Sequence, residues 1–86
     1  MNKTIGKVVE VFIPKQYKNG LLLDVMDRTN IGFKVMTNEG IKEVITEQDE
    51  FNAQIMKNDM VEIIEQTISG QEFIDIELYE GEIDDR

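Results

Sequence analysis

The segment 72–79 sets the terms for the whole chain. Ile74, Ile76 and Leu78 fall on one parity, and Phe73, Asp75, Glu77 and Tyr79 on the other. Such alternation is the period of a β-strand, whose successive side chains stand on opposite faces. Wound as a helix, the same residues would spread apolar and acidic groups around the whole circumference. The chain is therefore expected to build a sheet with one dry face and one face bearing carboxylates and rings.

Other segments follow the same rule. Residues 5–13 hold Ile5, Val8, Val9, Val11, Phe12 and Ile13, and Pro14 has no N–H to continue a ladder. Gly6 is expected to allow a bend or bulge there. Residues 31–37 and 41–46 form a hairpin around Asn38-Glu39-Gly40, and residues 60–67 and 72–79 another around Ser69-Gly70. Residues 14–20 read as a loop with a turn at Asn19-Gly20. Residues 21–27 fit a strand through Leu21, Leu23 and Val25, and a helical turn through the pairs Leu21/Val25 and Leu22/Met26. The strand is preferred.

Between the two hairpins the period changes. Thr46 and Asp49 resemble a capping box, Phe51 and Ile55 stand four apart, and Asn58 suits a left-handed cap. A helix of two to three turns is expected within residues 46–57. Met26, Met36, Met56 and Met60 are expected as core filler.

The resulting fold class is mainly β, a small α+β domain: a five-stranded, partly closed barrel with one short helix between its third and fourth strands. That order resembles OB-fold modules; without the helix, the long first loop resembles an SH3-like barrel. Residues 1–79 are expected to form one domain, and residues 80–86 an acidic tail. At 86 residues the chain has room for one modest core, hiding about 60–65% of the surface of its unfolded form.

Composition narrows the function. Cysteine and histidine are both absent. Zinc centres and Ser-His-Asp or Cys-His catalysis are thereby excluded. No cofactor motif is present, and the expectation is a non-enzymatic protein without cofactor or metal. The first residues do not read as a signal peptide, and no apolar run approaches a membrane span, so a cytoplasmic protein is expected. The net charge of −9 is unevenly spread: residues 1–34 carry six basic and three acidic groups, residues 35–86 three basic and fifteen acidic. An acidic surplus repels phosphate backbones and favours basic surfaces.

Three candidate sites emerge. The first is the stripe Phe73, Asp75, Glu77 and Tyr79, read as a docking edge for a basic protein, in its extreme form a nucleic-acid mimic; the plainer alternative is a solvated strand face. The second is the first loop and its surroundings: Lys15, Tyr17, Lys18, Arg28, Phe33 and Lys34 would place an aromatic among cations, as in OB-like modules that bind single-stranded nucleic acid. The overall charge opposes it. The third comprises the carboxylate clusters Asp49/Glu50 and Glu80, Glu82, Asp84 and Asp85, whose spacing matches no calcium loop and whose tail lacks the rigid scaffold a catalytic carboxylate pair needs. The preferred reading is a protein-binding module for a basic partner, with the OB-like nucleic-acid module as the alternative.

Overall fold

A computed structural model describes residues 2–18, 21–26 and 28–79. Seven strands run in the order β1 (Asn2–Phe12), β2 (Lys15–Lys18), β3 (Leu21–Met26), β4 (Asn30–Thr37), β5 (Gly40–Glu47), β6 (Met60–Ile68) and β7 (Gln71–Leu78). Five form one antiparallel sheet, in the order β5-β4-β1-β6-β7, while β2 and β3 pair as a separate ribbon. The strand reading of residues 21–26 holds. The Asn19-Gly20 turn, Asp27 and the tail 80–86 lie outside the described residues. Among the described residues no helix is long and apolar enough to cross a membrane.

The long strand β1 organises the sheet. Its first half pairs with β6, from Asn2↔Glu65 to Lys7↔Met60, and its second half pairs with β4, from Lys7↔Met36 to Phe12↔Gly32. The two hairpins are thus staggered along one shared strand. A register shift between Val8 and Glu10 marks a bulge at the crossover, which bends the strand and tightens its twist. Gly6 is not that bulge. A Cβ on Gly6 would lie 2.6 Å from the Met36 carbonyl oxygen and 2.6 Å from Val35 Cγ1, so this glycine lets β4 approach closely.

Curling buries one face. Val8, Ile31, Phe33, Val35, Val44, Ile55, Val61, Ile63 and Ile76 form a single cluster, to which every strand of the large sheet contributes. The turns follow their residues. Ser69 and Gly70 both take positive φ, the two-residue hairpin geometry that matches strand twist. Gly40 takes φ +107 after Asn38-Glu39, and the Thr37 hydroxyl donates to the Gly40 carbonyl and accepts from the Glu39 N–H, closing that loop.

The loop expected over residues 14–20 contains the strand β2, which pairs with β3, and three further expectations require correction. The sheet is not closed: β5 and β7, its two edges, approach each other where the Thr46 hydroxyl donates to the Ile74 carbonyl at 3.4 Å. It is therefore neither a closed OB-like nor a closed SH3-like barrel. The expected helix between the third and fourth strands of the large sheet is a single 3₁₀ turn, Asn52–Gln54. Short polar side chains bond the local backbone there in place of a helical ladder. Asp49 Oδ1 accepts from the N–H groups of Phe51 and Asn52, Asn52 Oδ1 accepts from the Asp49 N–H, and Asp59 Oδ2 accepts from the Met56 N–H. Asn58 does adopt positive φ, at 80°, but ends no helix; its N–H donates to the Val8 carbonyl and anchors the connection on β1.

The third correction concerns methionine. Met26, Met36, Met56 and Met60 are all exposed, because the core is filled by Phe33 and β-branched residues. Met36 and Met60 both pair with Lys7 in register, on the outward parity of β4 and β6.

Gly6→Ala forces β1 and β4 apart and is expected to destabilise the protein by about 1–3 kcal/mol, read as a lower urea midpoint at unchanged slope.

Candidate docking groove at the open seam

The gap left by incomplete closure is a groove. It encloses about 640 Å³ and is lined by Asp49, Phe51, Gln54, Glu62, Asp75, Ile76, Glu77, Leu78 and Tyr79. That volume falls within the range of ligand clefts. One wall is the free edge of β7 and the other is the turn that follows β5. Four of the lining residues are carboxylates and two are aromatic, and none of the described residues lining it is cationic.

Each wall has a local cause. The turn is held by Asn52, which is 1% exposed. Its Nδ2 donates to the Glu47 carbonyl at 2.9 Å while its Oδ1 takes the Asp49 N–H. Ile55, in extended backbone after the turn, drops into the core. Phe51, before the turn, is left 70% exposed at the groove. On a regular helix these two rings and chains would have shared a face; the 3₁₀ turn separates them.

On the other wall, Ile74 and Ile76 turn inward and Asp75 and Glu77 outward. Glu77 pairs with Glu62 of β6 in register, so two like charges stand side by side at the groove. Asp75 Oδ1 accepts the N–H of Ile76 at 2.8 Å, a bond that covers a main-chain donor at the sheet edge.

The structure divides the predicted stripe. Asp75, Glu77 and Tyr79 line this groove, while Phe73 lies farther along β7 beside a second depression of about 520 Å³ with Asn2, Glu65, Gln66, Thr67, Glu72 and Ile74. Phe51, Gln54 and Glu62 were missed as site residues, and Asp49 was named only in the cluster with Glu50. Phe51 was hidden by the expected helix, which placed it on one face with Ile55. Among the described residues no group of three or more acidic side chains is arranged to hold a metal ion.

In the basic patch, Phe33 and Lys34 do not share a face. Phe33 is 0% exposed, on the inner parity of β4, whereas Lys34 is on the outer parity. Neighbours in a strand point to opposite faces, so the two cannot serve one ligand. Lys34 instead lies 3.4 Å from Glu10 and about 6.0 Å from the centre of the Phe12 ring. Lys15, Tyr17 and Lys18 belong to the β2 strand of the separate ribbon, and Arg28 is exposed in the turn before β4.

No protein-family model, no curated protein and no solved structure matches this chain.

Asn52→Ala removes two buried side-chain bonds and is expected to cost about 1–3 kcal/mol in urea unfolding. Asp49→Ala, which strips the same turn from its exposed side, is expected to cost less, about 0.5–2 kcal/mol.

Proposed function

We propose that this protein is a non-enzymatic binding module whose groove docks a basic segment of a partner protein. The observation that carries the reading is the composition of the seam: Asp49, Glu62, Asp75 and Glu77 surround Phe51 and Tyr79 without a cation among the described lining. Carboxylates attract Lys and Arg, and exposed rings add cation–π attraction for the same side chains. The surplus of acidic over basic residues in 35–86 extends the attraction beyond the groove and steers encounter.

The alternative, a single-stranded nucleic-acid module on an OB-like sheet, keeps some support from the strand order, in which the first strand lies centrally between both hairpins. Its aromatic contact at Phe33 is unavailable to a base, and the acidic groove repels phosphates. Protein docking is therefore preferred.

Fluorescence anisotropy with a labelled Lys/Arg-rich peptide and a labelled single-stranded oligonucleotide separates the readings. The peptide is expected to bind, and to weaken by at least about tenfold as salt rises from about 0.05 to 0.5 M. Glu62→Gln with Glu77→Gln is expected to weaken it by roughly three- to thirtyfold. Peptide binding indifferent to salt and to both substitutions overturns the proposal, and tight oligonucleotide binding lost on changing Lys15 and Lys18 restores the alternative.

A further inference from the structure

The main chain of β7 adds information that the carboxylates alone do not carry. The Tyr79 N–H donates to the Met60 carbonyl at 2.9 Å, so the main-chain groups of residue 79 face β6. Along an antiparallel pair, residues alternate between facing the partner strand and facing away. With Ile63 opposite Ile76 and Val61 opposite Leu78, the N–H and C=O groups of Ile74, Ile76 and Leu78 therefore point out of the sheet. Two contacts confirm the direction: the Ile74 carbonyl accepts the Thr46 hydroxyl, and the Ile76 N–H turns to the carboxylate of its own neighbour, Asp75. Beyond Ile74 the edge opens onto the groove, whose wall includes Ile76 and Leu78.

We infer that the basic segment binds as an extended strand added to the edge of β7, with cationic and apolar residues in alternation. This rests on the docking reading given above and specifies its geometry. An added strand shares the pleat of β7. Its outward side chains fall beside Asp75 and Glu77, where Lys or Arg is favoured. Its inward side chains fall beside Ile76, Leu78 and Phe51, where aliphatic residues are favoured. The main chain supplies affinity and the alternating pockets supply specificity, as in other cases of strand addition. Asp75 then has two states: in the free protein it covers the Ile76 N–H, and in the complex it yields that donor and faces the partner's cation.

The test uses an eight-residue peptide of alternating Lys and Val, and two versions N-methylated at either the Val or the Lys amides. Methylation keeps the charge and the side chains but removes one row of main-chain donors and fills the space beside it. Only one row of an added strand faces β7, so one version is expected to lose at least about tenfold in affinity while the other binds as the parent does. Loss at Val marks antiparallel addition and loss at Lys parallel addition. Amide exchange at Leu78 is expected to slow in the parent complex. If both methylated versions bind like the parent, or both lose equally, strand addition is overturned while salt-sensitive docking stands. If the parent peptide itself fails to bind, or binds without regard to salt, the docking reading falls and strand addition falls with it.

Discussion

One dry cluster holds this molecule together, and every strand of the large sheet has a share in it. β1 contributes Val8, β5 Val44 and β7 Ile76, while β4 and β6 supply the rest of the strand-borne core. Burying a Val or Ile side chain contributes about 1.5–3 kcal/mol, whereas ordering a single residue's backbone costs about 1–2 kcal/mol. A strand with one buried side chain cannot meet the cost of its own ordering. It is held by its neighbours, and the sheet must form as a unit. That requirement explains the central place of β1, which carries both hairpins, and the intolerance at Gly6, where β4 packs closely on β1. It also accounts for Ile55, which brings the connection between hairpins into the same cluster.

The open seam follows from the same economy of material. Four strands staggered along one bent strand bring β5 and β7 together at Thr46 and Ile74 and leave the remainder of the β7 edge uncovered by any other described strand. An exposed edge invites unwanted pairing between molecules. Here Asp75 ties up the Ile76 donor, and Glu77 adds a second charge beside it. A second copy of the chain, carrying the same net −9, meets repulsion at this edge, whereas a cationic strand does not. The groups that protect the edge from self-association are thus the groups that the docking proposal assigns to partner selection.

Much of this architecture was legible in the sequence because strand faces and turns are local properties. The parity of Ile74, Ile76 and Leu78 named the inward side of β7, although Leu78, near the strand end, remains partly exposed. Ser69-Gly70 and Gly40 named two of the turns through their tolerance of positive φ. What failed was decided by competition or by distance. Residues 46–57 have helical spacing, but Asp49, Asn52 and Asp59 satisfy backbone donors within three residues and stop the helix after one turn. The methionines could not be assigned from chemistry alone, since a flexible thioether suits either a core gap or an outer face. Phe33 was offered as a ligand contact beside Lys34 in an OB-like patch, yet strand pleating sends those two neighbours to opposite sides. The groove itself joins residues 49–54 to residues 75–79, and nothing in their local spacing announces that meeting.

The outer face shows how the charge and the apolar surface work together. Ile41, Met36, Lys7 and Met60 follow one another in register across four strands, so a row of exposed apolar side chains is interrupted by a lysine. The same sheet face carries Glu43, Glu62, Asp75 and Glu77 on neighbouring rows. Long-range acidic repulsion opposes contact between like molecules through that row, even though its chemistry is adhesive. In the proposed complex, charge would draw in the basic partner, and short-range main-chain and apolar contacts at the seam would retain it. Charge would then govern mainly the rate of encounter, and the edge of β7 mainly the lifetime of the complex. The two can be altered independently, because Glu62 and Glu77 contribute side-chain charge while the main-chain groups of Ile76 and Leu78 belong to the sheet edge itself.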